Sequence, residues 1–340
     1  MRYPAFLPQN GCIGYVAPSF GCATEPYRSA FDNTLRKLKA LGFSADLGPN
    51  CHLAEGIGIS NTPQECAREL MTWYEREQNQ VLISCGGGEL MCETLPYMDY
   101  SRIRAAAPKW FMGFSDNTNF TFLSATLCDT AAIYGPNAAS FGMEPWHPAI
   151  IEALELLCGK RSSVHSFNRW ESEGLRDEEH PFAPYHCTEN TLIRKFPEED
   201  VCMEGRLLGG CLDSLCNLVG TSFDQVKEFN ERYREDGVIW FLEACDLDAV
   251  GIRRAIWQLY YAGWFDSAKG FLIGRPHNYG TQAFGLDQYE AVLGILRSLK
   301  VPVLMDLDIG HVPPMMPLIC GGSARVECRG NFLNISYTWR

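Results

Sequence analysis

Nowhere in the 340 residues does an apolar run approach the roughly 18 residues that a membrane helix requires, so no spanning segment is expected. The first twenty residues hold one Arg, two prolines before Gly11 and no unbroken apolar stretch, and do not read as a secretory signal. Basic residues are scarce: Lys and Arg total 29 against 41 Asp and Glu, a net charge of −12. That balance repels polyphosphate backbones and anionic lipid, which excludes nucleic acid and membrane surfaces as expected partners and leaves open only a local pocket for one small anion. Metal-binding signatures are missing as well. There is no HExxH and no close His/Cys/Asp cluster at ligand spacing, so neither a catalytic metal nor a cofactor is expected. Fifteen cysteines are present without a single CxxC, odd in number and scattered through apolar segments. They read as reduced core thiols in a cytoplasmic protein rather than a disulfide framework. Internal repeats and low-complexity tracts are also lacking.

What is present is a globular composition, 46% hydrophobic and 21% charged, in a chain long enough for two domains. From Cys12 the pattern alternates between apolar runs and helical spacing. The run Cys12 to Ala17 precedes Phe31, Leu35, Leu38 and Leu41, a helical set ended by Gly42. Thr62-Pro63 opens a helix through about Glu77, with Thr62 as N-cap. Val81 to Ser84, Trp110 to Gly113 and Ala131 to Tyr134 continue the strands, with a helix over 117–127. Repeated β-α units of this length predict a parallel sheet covered on both faces. Residues 161–200 show no sustained period and read as a connection, a candidate lid, between a domain of residues 1–160 and one of residues 201–340. The second domain is also mixed α and β: a glycine turn at Gly209-Gly210 with a helix behind it, strands at Val238 to Leu242, Gly270 to Ile273 and Val301 to Met305, and two closing strands.

Four segments carry residues able to do chemistry. Gly113-Phe114-Ser115-Asp116 lies between a strand and a helix, where a sharp turn lifts a hydroxyl out of the sheet and aims the helix N-terminus at it, so Ser115 is a candidate nucleophile. An ordinary turn with Ser115 or Asp116 as N-cap is the alternative. Cys85-Gly86-Gly87-Gly88-Glu89 follows a strand, and its bare amides suit an oxyanion or anion loop, though it matches neither GxGxxG nor a P-loop. Glu243 ends an apolar strand and is able to orient a histidine, or is a solvated acid beside Asp246 and Asp248. His311, in Asp308-Ile309-Gly310-His311-Val312-Pro313-Pro314, is the candidate proton carrier, with His277 as its rival.

Together these segments resemble the LD-carboxypeptidase family of serine peptidases, which includes murein tetrapeptide carboxypeptidases and microcin C immunity peptidases. The resemblance runs from Gly14-Tyr15-Val16-Ala17-Pro18-Ser19 through Leu95-Pro96-Tyr97, Tyr134-Gly135-Pro136, Gly205-Arg206-Leu207-Leu208-Gly209-Gly210 and Gly274-Arg275-Pro276 to Gly310-His311. It implies an N-terminal flavodoxin-like α/β domain, a C-terminal mixed α/β domain with a small barrel-like sheet, and a homodimer. It also implies a Ser-His-Glu triad of Ser115, His311 and Glu243, with an oxyanion hole built from the amide of Asp116 and that of Gly87 or Gly88. The length and the 160–200 connection look more like the microcin C immunity branch, which cleaves peptidyl-nucleotides, than like the murein enzymes. On that branch Trp170 would stack on a base and Arg275 would meet substrate. Glu89 departs from the small polar residues expected after the glycine pair and disfavours an anionic substrate group. Two other readings stay open: a Cys85 nucleophile partnered by His277 or His311, and a non-catalytic binder of a small ligand.

Overall fold

The computed structural model describes residues 1–339 and builds two large sheets and a two-stranded ribbon. The first sheet has the spatial order Leu318–Cys320, Ala132–Tyr134, Trp110–Gly113, Val81–Ser84, Cys12–Val16, Ser44–Leu47. Its five N-terminal strands are parallel, as the β-α repeats predict, and only Leu318–Cys320 runs antiparallel to its neighbour. Val81–Ser84 and Trp110–Gly113 are buried along their whole length, the expected state of parallel strands covered on both faces. The helix Pro63–Glu75 starts as read, with Thr62 Oγ1 accepting from the Glu65 amide at 3.3 Å.

The second sheet has eight strands in the order Ser163–His165, Phe332–Thr338, Ser323–Arg329, Val201–Cys211, Val238–Glu243, Ala268–Gly274, Val303–Leu307, Arg194–Phe196. The four from Val201–Cys211 to Val303–Leu307 are mutually parallel, and the outer pairings are antiparallel. Between the sheets lies the helix Thr118–Thr126, all nine of whose residues are buried. It has no polar face because it has no solvent side: Phe122 stacks on Trp264 at 5.2 Å, and Thr118 Oγ1 accepts from the Cys211 amide of the second sheet at 2.9 Å.

Two features differ from the sequence reading. Gly209 and Gly210 are not a turn but the interior of the eleven-residue strand Val201–Cys211. Their φ angles are 153° and 150°; a Cβ on Gly209 would fall 1.7 Å from the Phe241 carbonyl oxygen, and one on Gly210 would fall 2.5 Å from Thr118 Cγ2. Gly209 lets the strand pack against the Phe241 backbone of its neighbour in the same sheet, and Gly210 lets the sheet approach the central helix closely. Gly209→Ala is accordingly expected to destabilise the fold by about 3 kcal/mol or more. Urea unfolding measures this, and a variant as stable as wild type would refute the close-approach argument.

The second difference concerns residues 161–200. They hold short strands: Ser163–His165 and Arg194–Phe196 close the two edges of the second sheet, and Arg169–Trp170 pairs with Glu189–Asn190. Strands of two or three residues with exposed polar positions are too short to leave a period in the sequence.

Candidate active site

The strand Trp110–Gly113 ends in a sharp turn that holds Ser115 at φ 65°. A non-glycine residue there costs roughly 1–3 kcal/mol and persists only where its surroundings over-determine it. Here they do. The Phe114 amide donates to Asn137 Oδ1 at 3.2 Å, and the Ser115 amide donates to Tyr134 Oη at 3.3 Å. Asn117 Nδ2 reaches the carbonyls of Gly86 at 2.7 Å and Phe114 at 3.1 Å.

Glu243 is the last residue of its strand, and its side chain is wholly excluded from solvent. His311 follows Gly310, which adopts φ 95° and whose Cβ would lie 2.4 Å from Glu243 Oε2, so only glycine admits the loop this close to the carboxylate. The loop is anchored behind the histidine. Asp308 forms a buried ion pair with Arg275, accepts from the Phe167 amide at 2.7 Å, and its backbone carbonyl accepts from the Met316 amide at 2.8 Å.

These elements join Ser115, His311 and Glu243, although Ser115 and His311 are 196 residues apart. His311 Nδ1 lies 2.8 Å from Glu243 Oε2, and Nε2 lies 2.8 Å from Ser115 Oγ. Because the ionised carboxylate only accepts, Nδ1 carries the proton and Nε2 is free to accept from the serine hydroxyl. Burial disfavours the imidazolium, but the Glu243 carboxylate and the Cys245 thiol beside it outweigh burial and hold the His311 pKa well above the usual histidine value.

The glycine loop lies against the serine. A Cβ on Gly87 would sit 3.1 Å from Ser115 Oγ, and Gly88 adopts φ 154°, where a Cβ would collide with Ser19 Oγ and meet the Phe20 amide nitrogen at 3.0 Å. Among the described residues the amides of Gly87, Gly88 and Asp116 donate to no other protein group. The Asp116 side chain turns away from this face: Oδ2 accepts from Ser19 Oγ at 2.5 Å and from the Met91 amide at 2.9 Å, bracing the loops around the turn. Burial raises its pKa to about 6, against the pull of those donors.

The remaining expected residues sit further out. Glu89 is exposed, and partial burial together with Asp246 and Asp213 raises its pKa. Trp170 belongs to the short ribbon rather than to a loose loop. Its ring packs edge-on against Tyr279 at 5.1 Å, and the Glu171 amide next to it donates to Pro313 O at 2.8 Å, two residues from His311. Arg275 is 1% exposed; its guanidinium is held by Asp308 and the Asp306 carbonyl beneath the Trp170 ring, so it anchors the His311 loop instead of reaching outward. His277 is exposed, and its amide bonds Ala244 O. Cys85 is fully buried, and burial with neighbouring Cys22 and Cys51 pushes its thiol pKa well up. Among the described residues one trio has a potential metal-binding arrangement, Cys211, Glu243 and His311, with ligand atoms within 4.8 Å of one another. The cysteine thiol there is kept protonated by burial, and the other two side chains are already bonded to each other. Tyr134 and Asn137, which hold the turn, were visible in the sequence only as part of a Tyr-Gly-Pro-Asn run, with no local signal of their role.

Comparison with known proteins places the chain in a family. Residues 13–135 match the family model for the LD-carboxypeptidase N-terminal domain, and residues 204–326 match that for the LD-carboxypeptidase C-terminal domain. A probable murein peptide carboxypeptidase of Bacillus subtilis (strain 168) is 26% identical over 333 residues, 95% of this chain and 91% of that protein. The microcin C7 self immunity protein MccF, solved in complex with aspartyl sulfamoyl adenosine, has the same fold at a TM-score of 0.82 and 21% identity, covering 99% of both chains. An MccF-like protein from Streptococcus pneumoniae in complex with AMP superposes at 0.79 with 22% identity, over 97% of this chain and 99% of the other.

Proposed function

Because this chain belongs to the LD-carboxypeptidase family, we propose that it is a metal-independent serine hydrolase cleaving an amide near the C-terminal end of a small peptide substrate. The observation that carries the proposal is the continuous chain from Ser115 Oγ through His311 to Glu243, two contacts of 2.8 Å. In the first step His311 Nε2 takes the Ser115 proton as Oγ forms a bond to the substrate carbonyl carbon. The oxyanion falls to the amides of Asp116 and of Gly87 or Gly88, which are fixed before the reaction begins and so need not reorganise. The C–N bond then breaks as His311 returns the proton to the leaving amine. Water, deprotonated by the same imidazole, releases the acyl group from Ser115. Glu243 stays ionised, holding the tautomer and stabilising the imidazolium.

For the substrate, the reading is a peptidyl-nucleotide, supported by the half-buried Trp170 and the exposed Tyr279 beside the His311 loop, aromatic side chains of the kind that stack on a base. Glu89, near Asp213 and Asp246, weighs against an anionic substrate group beside it. Murein tetrapeptide cleavage is the second reading, favoured by the Bacillus subtilis relative. Mass spectrometry of products decides between them when the enzyme is given a murein tetrapeptide and an aspartyl sulfamoyl adenosine side by side. The expected product is free sulfamoyl adenosine. Release of D-Ala alone would establish the second reading, and cleavage of neither would remove both substrates.

A further inference from the structure

Tyr134 closes the hydrogen-bonded chain of the site into a ring. Its side chain is fully buried, its hydroxyl donates to Glu243 Oε1 at 2.5 Å, and the same oxygen accepts from the Ser115 amide at 3.3 Å. From that amide the ring passes through Tyr134 to one oxygen of Glu243, leaves by the other to His311, and returns to Ser115 Oγ. Phe241 at 5.4 Å and Phe114 at 6.3 Å hold the tyrosine ring in place. We propose that Tyr134 is a positioning residue that sets the proton affinity of the Glu243–His311 pair while pinning the strained turn that presents Ser115.

The constraint comes from Glu243. A carboxylate with no solvent contact must find a donor for each oxygen, and the two here are His311 Nδ1 and the Tyr134 hydroxyl. A short bond from a phenol withdraws charge from the carboxylate, which then attracts the imidazolium proton less strongly. The phenol remains a donor at any working pH, since burial and the adjacent Glu243 drive its own ionisation far upward. The other titratable groups facing the pair are Cys245 and Glu89 toward His311 and Cys211 toward Glu243 and Tyr134, with Asp213 behind Cys211. Removing the phenol leaves all of these in place, so a changed titration is attributable to the lost hydrogen bond. Its catalytic consequence rests on reading Ser115, His311 and Glu243 as the reacting groups; the titration itself does not.

The test is an NMR titration of histidine-labelled protein, with the His311 signal identified by its loss in His311→Gln. In Tyr134→Phe the His311 midpoint is expected to rise by roughly half a unit or more, with turnover at neutral pH falling about threefold or more and KM little changed. Replacement of Tyr134 by 3,5-difluorotyrosine, the same shape but a stronger donor, is expected to lower the midpoint, and this second protein decides the matter if the phenylalanine variant does not fold. A role confined to packing would reduce the melting temperature and leave both titrations at the wild-type midpoint. That result overturns the inference. Should the midpoints move as described while Ser115→Ala stays active, the reading of Ser115 fails and the assignment of Tyr134 stands.

Discussion

Ser115→Ala is expected to reduce turnover by about 10⁴-fold or more, because the remaining groups of the ring have no nucleophile to activate. The same change is expected to leave folding intact. Ser115 Oγ bonds only His311 Nε2 among the described residues, and the hydrogen bonds that hold the turn come from main-chain groups and from Asn117. Alanine at φ 65° costs about as much as serine does, so thermal unfolding should follow wild type closely. Activity surviving in the alanine protein would remove Ser115 from the mechanism. The cysteine alternative predicts the opposite, namely inactivation by a thiol reagent. The structure disfavours that reading because Cys85 is buried among other thiols and has no histidine partner among the described residues, while His311 is spent on Ser115.

The second large effect belongs to Glu243→Gln, whose kcat/KM is expected to fall about 10³- to 10⁴-fold. The amide has nearly the shape of the carboxylate, so the loss reports charge and tautomer rather than space. It also carries a pH signature with a definite sign. In wild type the imidazole must be neutral to accept the serine proton, and Glu243 holds the His311 pKa well above the ordinary 6.5. Activity should therefore rise with pH through a limb lying above 6.5. With glutamine in place the attraction is gone while burial continues to disfavour the cation, so the limb should move to lower pH. The pH dependence of kcat/KM for the two proteins measures this; a limb that stays where it was in wild type would show that Glu243 does not govern the imidazole.

The first sheet and the three side chains of the proposed triad were legible in the sequence for related reasons. Parallel strands such as Val81–Ser84 are short apolar runs closed by glycine or a polar residue, and a sheet of this kind delivers chemistry at the ends of its strands, where Ser115 and Glu243 both stand. His311 was distinguishable because Gly310 and the paired prolines mark a constrained loop. What the local sequence does not carry is contact at a distance. Gly209-Gly210 looks like a turn until the Phe241 carbonyl and Thr118 are placed against it. Arg275 follows a strand, as a substrate-binding arginine would, yet Asp308 thirty-three residues on claims it. Tyr134 shows the same limit: nothing near it predicts that its hydroxyl meets a carboxylate 109 residues away. The short strands within residues 161–200 left no trace in the sequence for another reason, since edge strands of two or three residues take their register from the sheet they join.

The most direct test of the account is to quench wild-type enzyme with acid during turnover of aspartyl sulfamoyl adenosine and map the acyl group by peptide mass spectrometry. A Ser115 nucleophile predicts an added aspartyl mass on the peptide containing Ser115, absent from Ser115→Ala. An acyl group on a peptide containing Cys85 or Cys211, or product formed at full rate with no acylated serine at any quench time, would contradict it.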